Sequence, residues 1–396
     1  MGKSAPSVVV AKKGKMRLVQ KRPAIMKSSL WKNLAYTRDK NGVQPRGQRK
    51  DQIKWKRTLP ELIKASDSHI IRILIADKLL PKSVAREPFR SSRWKDAACQ
   101  LWMNPHHLHP LFTEGQGLQS QLLQSQAALL LLKLHRVPQS IIHMLLNVNH
   151  KAIEDVERKL CKLRQEHVES KEKAIQFGNG KSWVDVEADE ATFDKRDISN
   201  CLEFKHLIQS PNATIMWEQW AGIVQRGRPE TLILYKLQPK ITVKRAPGPG
   251  AIRRIEWKGL AAKWLMNRKV VLHTDSAKSY KLKVFGVLHD RVVHCKNRVK
   301  IQGKWTWRAP HYVRIVKHTL PGGKGKTLNV KSGTQIIDRC WRFLKERVRV
   351  NQHTKCGSAL LRAKLRSAQY EYWHRTDDLW VATGHLCQDS MKKFMS

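Results

Sequence analysis

Three acidic residues alternate with small apolar residues near the middle of the chain, and this pattern constrains the fold more than any other. Asp185, Glu187 and Asp189 are separated by Val186 and Ala188. Successive side chains of a strand point to opposite faces, so the stretch 181–196 predicts a strand with three carboxylates on one face. Like charges on one face repel each other, so the cluster needs a cation, a basic partner or open water. From this stretch alone, a solvated face is as good an interpretation as a functional site.

The surrounding chain is strongly basic. Its 396 residues include 76 Lys and Arg against 32 Asp and Glu, a formal net charge of +44. Such an excess attracts polyanions, with nucleic acid as the first partner to consider and an anionic membrane surface as the second. No apolar run approaches the roughly 18 residues of a membrane span, so no membrane partner is expected. The seven cysteines are scattered without a CxxC pair, which predicts reduced thiols in an intracellular protein. The expected location is the nucleus in a eukaryote, or the cytoplasm and nucleoid in a bacterium.

Composition and periodicity predict four regions. Residues 1–60 carry 17 Lys and Arg against two acids without a sustained apolar period, which predicts a disordered basic arm. Residues 61–116 are predicted to form a small helical or degenerate zinc-ribbon-like module. Residues 117–172 predict a helix-turn-helix DNA-binding region. Residues 181–385 alternate strand-like and helix-like segments, which predicts a mixed α/β layer fold, with the mixed sheet flanked by helices.

The second region contains residue types that bind zinc, namely Cys99, His106, His107 and His109. A structural zinc site uses four ligands, usually in two spaced pairs. That spacing is absent, so a degenerate or simply packed module is the better prediction, and zinc binding stays open.

The third region predicts a helix, a short helix, a tight turn and a long helix. Asn149 is a good N-cap for the long helix, whose apolar face contains Ile153 and Val156. This outline is typical of a helix-turn-helix. Basic residues largely outside the apolar face are the predicted DNA contacts: His150, Lys151, Arg158 and Lys162. Neighbouring acids dilute this positive surface, so a plain helical bundle remains the alternative.

Three acids of the fourth region stand where a metal site could form. Asp189 ends the acidic strand, and Asp275 follows the short apolar strand that begins at Val270. The carboxyl ends of strands are where open α/β sheets place ligands. Asp338 lies in a predicted amphipathic helix. Carboxylates from two strand ends and a helix can bind one or two divalent cations, which suit phosphoryl transfer on an anionic substrate.

Four stretches in this order carry a family resemblance. VEADEATF contains Asp189, WAGIVQRGRPETLILYKL forms a predicted hairpin, VLHTDSAKSY contains Asp275 and Tyr280, and TQIIDRCWRFLK contains Asp338 and Trp341. Over roughly residues 117–385 the chain resembles the DDE transposases of bacterial insertion sequences and the related eukaryotic Merlin-type elements. The resemblance implies an RNase H-like fold, with a five-stranded sheet flanked by helices.

The same resemblance implies a DNA recombination activity, transposition. Asp189, Asp275 and Asp338 would hold Mg²⁺ or Mn²⁺ for cleavage at transposon ends and strand transfer by the freed 3′ hydroxyl. Expected partners are double-stranded DNA, both transposon terminal repeats and target DNA, and further copies of the chain. Residues expected to support the site are Glu187, Tyr280 and Trp341. Further residues expected to contact DNA are Arg226, Arg228 and Lys345.

The chain also departs from the family. Asp338 stands where the family has Glu, so the third carboxylate is one methylene shorter, and Gln335 replaces an Asn. The family's amino-terminal zinc ribbon is not recognisable. A domesticated, non-catalytic DNA-binding protein with the same fold is therefore the alternative. A third hypothesis, from charge alone, is an RNA-binding or ribosome-associated protein, which predicts no convergent acids.

Other signals favour structural interpretations. His273, His294 and His318 could serve catalysis, but an isolated histidine is more often structural. Glu190 is expected to point away from Asp189. Residues 322–327 resemble the end of a P-loop without its leading glycine.

Overall fold

The computed structural model describes residues 29–38, 53–81, 94–95, 102–103, 109–112, 122–208, 210–322, 325–348 and 359–395. The helices are α1 (Ser29–Asn33), α2 (Leu59–Ile63), α3 (Asp67–Ala76), α4 (Leu123–Leu134), α5 (Gln139–Leu146), α6 (His150–Lys171), α7 (Arg254–Trp264), α8 (Gln335–Arg347), α9 (Ala359–Trp373) and α10 (Leu379–Met395). The strands are β1 (Trp94–Lys95), β2 (Trp102–Met103), β3 (Val184–Asp197), β4 (Ile215–Gln225), β5 (Arg228–Lys236), β6 (Lys240–Thr242), β7 (Val270–Thr274), β8 (Val287–Arg291), β9 (Asn297–Ile301), β10 (Lys304–Arg308), β11 (Val313–Thr319) and β12 (Thr327–Gly333).

A mixed sheet lies at the centre of the fold. Its strands follow the order β5-β4-β3-β7-β8, and the short β6 pairs with β4. β3 is antiparallel to β4 and parallel to β7, and β8 continues the parallel side. The long β3 therefore joins an antiparallel half to a parallel half. The predicted mixed α/β class, with a mixed sheet flanked by helices, is confirmed.

The two faces of β3 are buried against different helices. Val186 and Ala188 belong to an apolar cluster that includes Trp257 and Leu260 of α7. On the opposite face, Ala191 and Phe193 join a larger cluster that contains residues of α8, α9 and α10 and also of α2, α3, α4 and α6. The amino-terminal helices and the sheet thus share one hydrophobic core.

Helices α4 to α6 follow the sequence prediction closely. Asn147 ends α5 in the left-handed conformation, with φ 48°. The Asn149 side chain accepts a hydrogen bond from the backbone N–H of Lys151 at 2.9 Å, so Asn149 is the N-cap that the sequence predicts. Ile153 and Val156 are buried as expected. Arg164 on the same helix is 2% exposed and pairs with Glu371 at 2.8 Å.

Several predicted boundaries are wrong. The apolar pattern over 59–80 predicts one helix, but the chain forms two, because it turns at residues 64–66 and Ser66 is the N-cap of α3. The sequence also predicts a helix-like segment between Asp275 and a strand at 291–296, but only a short 3₁₀ turn (Lys278–Lys281) occurs and the strand is β8. The stretch that resembles a P-loop is partly outside the described residues. It lies between β11 and β12, which are antiparallel strands, whereas a P-loop connects a strand to a helix.

Within the region predicted to be a disordered basic arm, residues 29–38 and 53–60 are described. Residues 29–38 include α1, and the segment reaches the central sheet through Tyr36 and Arg38. Cys99, His106 and His107 lie outside the described residues. His109 is described and buried, and its ring nitrogens bond to the backbone of Leu79 and Phe112. None of the helices in the described ranges is long and apolar enough to span a membrane.

Candidate active site

A ladder of polar side chains runs along one face of the central strands. On β3, Asp185, Glu187 and Asp189 share this face, as the alternation predicts, while Val186 and Ala188 pack on the other. Glu187 is level with His273 in the parallel register of β3 and β7. Asp189 stands two residues after Glu187, and Asp275 stands two residues after His273, directly beyond the end of β7. The ladder therefore has a lower level, formed by Asp185 and Glu187, and an upper level that begins at Asp189.

In the lower level, Glu187 is fully buried and caps the helix that carries Asp338. Its Oε2 accepts hydrogen bonds from the backbone N–H groups of Ile336 and Ile337 at 2.7 and 2.9 Å. These are two of the first N–H groups of α8, which lack partners within the helix. The helix dipole also favours a carboxylate at this end. Glu187 thus fixes the start of α8 against β3.

Arg226 neutralises Glu187 from the end of β4. Its Nε donates to Glu187 Oε1 at 2.6 Å, and both side chains are buried. The two Nη atoms donate to backbone carbonyls of Tyr36, Lys331 and Gly333. The sequence predicts that Arg226 contacts DNA, but it is 3% exposed and its guanidinium makes four hydrogen bonds inside the protein. Its place is structural, as the counter-ion of the residue that caps α8.

A second buried network extends the lower level across the parallel strands. His273 is completely buried, with Nε2 3.0 Å from Asp185 Oδ1 and Nδ1 2.8 Å from Asp290 Oδ1. Burial and the Arg226 charge oppose ionisation of His273, but the two carboxylates prevail and raise its pKa. His318 bonds to the other oxygen of Asp290 at 3.0 Å. Both histidines therefore hold carboxylates in place, in agreement with the structural interpretation.

The amino-terminal segment completes the lower level. Arg38 donates to Asp185 through Nε at 2.6 Å and Nη2 at 2.8 Å. Burial would raise the pKa of Asp185, but the hydrogen bonds from His273 and Arg38 lower it to about 2. Tyr36 donates its hydroxyl to Glu187 at 2.7 Å, and its ring lies 3.8 Å from the Arg226 guanidinium carbon. Every carboxylate of this level thus has cationic or N–H partners.

In the upper level, Asp189 is held by a tryptophan. Trp341 of α8 donates Nε1–H to Asp189 Oδ2 at 3.0 Å. The ring fits because Gly222 of β4 lies opposite Asp189. A Cβ at Gly222 would stand 2.6 Å from a ring carbon of Trp341 and 2.9 Å from Ile337. Gly222 therefore permits α8 to pack close enough for the contact with Asp189.

The other two predicted acids lie close enough for their charges to act on Asp189. Asp275 directly follows β7, and its Oδ1 accepts a hydrogen bond from the N–H of Ala277 at 2.9 Å. Asp338 is exposed in the first turn of α8, where Thr334 donates to its Oδ2 at 3.2 Å. Burial raises the pKa of Asp189 well above its usual range, and the charges of Glu190, Asp275 and Asp338 raise it further. The fold thus brings together three acids separated by up to about 150 residues in the chain, as their numbers show.

The upper level has a donor set that suits a hard divalent cation. Its three carboxylates supply only oxygen ligands, which Mg²⁺ prefers. Within the described ranges, neither Lys, Arg nor His forms an ion pair with Asp189, Asp275 or Asp338. In the same part of the chain, the side chains of His, Cys, Asp and Glu form no cluster of three arranged around a metal position. A bound cation would have to draw the three carboxylates closer together.

Tyr280 and Glu190 lie behind the acidic strand. The Tyr280 hydroxyl donates to Glu190 Oε2, and the N–H of Ile252 donates to the other oxygen at 3.0 Å. Glu190 points away from the ladder, as alternation requires. Tyr280 packs against Trp257 and supports the strand from the apolar face.

The remaining basic residues predicted to bind DNA lie on the surface. Those on α6 are all exposed: His150, Lys151, Arg158 and Lys162. Arg158 pairs with Asp155 on the same helix, which reduces its free charge. Arg228, on the hairpin of β4 and β5, bonds to Glu230 at 2.8 Å. Lys345 is exposed on α8, seven residues after Asp338.

Four residues of the lower level are not predicted from the sequence: Tyr36, Arg38, Asp290 and Ser332. The Ser332 hydroxyl donates a hydrogen bond to Asp290 Oδ1. Tyr36 and Arg38 stand in a stretch without periodicity, and their partners are about 150 residues away. Asp290 has a weak signal, because it lies near the carboxyl end of β8 as Asp275 follows β7. The sequence predicts this strand at 291–296, whereas β8 begins four residues earlier, at Val287, and places Asp290 near its end.

Searches of protein-family models, curated proteins and solved structures found no match to this chain. The interpretation of the site therefore depends on its own geometry and on the sequence motifs.

Proposed function

We propose that the chain is a DDE-type transposase or a protein derived from one. It binds transposon-end DNA and uses Asp189, Asp275 and Asp338 for metal-dependent cleavage and strand transfer of phosphodiesters. The observation that carries the proposal is the convergence of these acids on one face of the sheet, where burial and the neighbouring acidic charges raise the pKa of Asp189. Acids retained only for solubility have no reason to cluster in a partly buried position.

The sheet supports an RNase H-like assignment. The sequence resemblance implies five strands flanked by helices, and the main path of the sheet is β5-β4-β3-β7-β8 with helices on both faces. Two of the acids come from neighbouring parallel strands and the third from a helix that packs on them. The resemblance assigns the same three origins.

In this proposal the three carboxylates hold Mg²⁺ or Mn²⁺, which would activate the attacking hydroxyl and stabilise the leaving oxygen. The protein's own residues set the geometry. Trp341 orients the Asp189 carboxylate, and Glu187 fixes the first turn of α8, which carries Asp338. Lower-level contacts thus determine where the upper-level carboxylates stand.

Binding to double-stranded DNA is assigned to the basic surface, with α4 to α6 as the helix-turn-helix. The exposed residues His150, Lys151, Arg158 and Lys162 on α6 would contact the duplex. Replacing one phosphate-binding cation by a neutral residue should reduce the salt dependence of binding by about 0.9 in log–log slope. We expect more than one copy of the chain on paired DNA ends.

A non-catalytic DNA-binding protein with this fold is the second candidate function. The observation that favours it is Asp338, which is one methylene shorter than the Glu of the resembling family and is exposed at the rim. Its carboxylate bonds to Thr334 of its own helix turn. In this second candidate function the three acids are retained, but the protein does not cleave DNA.

Cleavage separates the two candidates. Duplexes selected from a random pool by binding to the full chain would be labelled and incubated with Mg²⁺. We expect strand cleavage by the wild type and a loss of at least about 10³-fold for Asp189→Ala and Asp275→Ala, because metal ligands supply several kcal/mol of transition-state stabilisation. Asp197→Ala, at the exposed end of the same strand, is the matched control and should cleave normally.

Asp338→Glu tests the departure from the family. Restoring the methylene should increase cleavage if Asp338 binds the metal from too far away. Absence of cleavage by both wild type and Asp338→Glu would reject the enzyme and leave the non-catalytic alternative. Equal cleavage by wild type and Asp189→Ala would place the activity elsewhere.

A further inference from the structure

A two-stranded hairpin projects from the structure with exposed tryptophans. β9 and β10 pair only with each other and belong to no larger sheet within the described ranges. Trp305 and Trp307 are 62% and 66% exposed. Exposed tryptophan is costly in water, and neighbouring exposed apolar side chains usually mark a binding surface.

The two rings lie on one face of the hairpin together with two cations. Trp305 is paired with Lys300 and Trp307 with Arg298 across the strands, and residues two apart share a face. The Arg298 guanidinium carbon lies 5.8 Å from the Trp305 ring centre and 5.7 Å from that of Trp307. These are cation–π distances. We call this face, formed by Arg298, Lys300, Trp305 and Trp307, the tryptophan face.

The charge of the hairpin favours an anionic ligand. Residues 297–308 contain four cations, the two on the tryptophan face and also Lys304 and Arg308, and they contain no Asp or Glu. An acidic protein segment would pair only with the cations, and a purely apolar segment would pack only on the tryptophan rings. A nucleic acid strand uses both, because its phosphates pair with the cations and its bases stack on the rings.

The root of the hairpin adjoins the candidate active site. Val293 and His311 form a bridge below β9 and β10. The neighbouring His294 has its Nε2 3.3 Å from Thr334 Oγ1, and Thr334 donates to Asp338. Trp307 is four residues from His311, so it stands about 13 Å from the root at about 3.3 Å per residue. A strand leaving the acidic site would meet the tryptophan face within a few nucleotides.

We propose that the tryptophan face binds unpaired bases of a DNA strand beside the acidic site. Base pairs within a duplex hide their ring faces, so stacking on Trp305 and Trp307 selects bases that are unpaired. The face would hold a frayed or cleaved end next to Asp338. This inference depends on the proposed function for its setting, but the binding itself needs neither metal nor cleavage.

The test measures binding of the full chain to a labelled DNA strand of about 12 nucleotides, the upper part of the usual site size, in EDTA and against an abasic strand with the same phosphates. Each Trp→Ala change should weaken binding to the normal strand by about 5- to 150-fold, equivalent to about 1–3 kcal/mol per stacked base. Trp305→Phe and Trp307→Phe should retain most of the affinity. Phe285→Ala removes an exposed aromatic elsewhere, 76% exposed, and should change nothing.

Binding of each variant to the normal and to the abasic strand separates the contribution of base stacking from that of charge. The wild type should prefer the normal strand to the abasic one, and the double variant Trp305→Ala with Trp307→Ala should bind both equally. Lys300→Gln should weaken both strands and reduce the salt dependence by about 0.7 in slope. Normal circular dichroism of each variant would show that the body remains folded.

Three results would overturn the inference. The first is an unchanged preference for the normal strand in the double variant. The second is binding of an RNA strand more than about tenfold tighter than DNA, a difference of about 1.4 kcal/mol. The third is Trp-dependent binding to anionic phosphatidylserine vesicles while DNA binding is unaffected, which would make the face a membrane contact. Failure of cleavage leaves this test intact, because cleavage requires metal and the binding assay excludes it.

Discussion

The two levels of the acidic ladder are built from the same residue types on the same strand, yet they differ in their partners. Glu187 is buried among an arginine, a tyrosine hydroxyl and two helix N–H groups. Asp189, two residues later, receives a side-chain hydrogen bond from Trp341, and its neighbours Asp275 and Asp338 are acids. The lower level stabilises the fold, whereas the upper level concentrates negative charge.

We expect this difference to separate acids that stabilise the fold from acids that serve the proposed site. A buried carboxylate with complete partners contributes stability or orientation, and removing it leaves those partners unpaired. A carboxylate that lies among other carboxylates and has few hydrogen-bond donors or cations around it lowers stability unless a cation binds there. Positions that carry such a cost are commonly functional sites. Four substitutions can test whether the two levels behave in these opposite ways.

The largest expected effect is that of Glu187→Ala. It leaves the Arg226 charge and two α8 N–H groups buried without their partner, so the free energy of unfolding should fall by about 3–5 kcal/mol. Urea denaturation measures this change. The matched control is Glu230→Ala, which breaks the exposed pair with Arg228 and should cost less than about 1 kcal/mol. Equal costs would contradict the structural role of the lower level.

Gly222→Ala should destabilise the packing of α8 against the sheet. The added methyl group would stand 2.6 Å from the Trp341 ring, and overpacking of this kind costs about 1–3 kcal/mol. Trp341 would also move away from Asp189, so cleavage should fall with stability. Gly259→Ala, where a Cβ meets no atom within 4 Å in the helix α7, is the control and should stabilise slightly. A neutral Gly222→Ala would argue against close packing of α8.

Asp185→Asn should lower stability at neutral pH by about 2 kcal/mol, the size expected for a shift of this kind. The pKa of Asp185 is lowered to about 2 in the folded protein, and the ordinary value is about 4, so its ionisation stabilises the fold above about pH 4. That stabilisation disappears as the pH falls through about 2. The stability difference between wild type and variant should therefore shrink on acidification. A difference independent of pH would contradict the ion pair with Arg38 and His273.

Asp189→Asn should have the smallest effect and the opposite sign. The pKa of Asp189 is raised, so the folded protein binds a proton more tightly than the unfolded chain does and loses stability as the pH rises from the ordinary value towards the raised one. The neutral amide removes this cost, and a gain of about 0.5–2 kcal/mol at about pH 8 is expected. The gain should vanish below about pH 4, the ordinary pKa of Asp. Destabilisation at alkaline pH would show that Asp189 belongs with the structural acids.

The sequence predicts the parts of the site that depend on local pattern. Alternation along β3 places three carboxylates on one face, the short apolar strand ends before Asp275, and Asn149 caps α6. These predictions succeed because strand and helix periodicity are properties of neighbouring residues. The order of the motifs along the chain also predicts Asp338 as the third acid.

The remaining features depend on contacts between distant residues. Arg226 has the pattern of a surface cation in a turn motif, and only the approach of Tyr36, Lys331 and Gly333 buries it. Residues 29–38 lack apolar periodicity, so nothing local indicates that Arg38 binds Asp185. The exposed tryptophans of β10 have the pattern of strand residues that pack in a core. Their exposure becomes evident only when the partner strands are known.

Binding of Mn²⁺ decides whether the upper level is a site for a divalent cation. Electron paramagnetic resonance measures free Mn²⁺ in the presence of the protein and its selected duplex. The account predicts binding by the wild type and by Glu230→Gln, and binding at least about tenfold weaker by Asp189→Asn and by Asp275→Asn, because each change removes an anionic oxygen ligand. Equal Mn²⁺ binding by all four proteins, or none by the wild type, would contradict it.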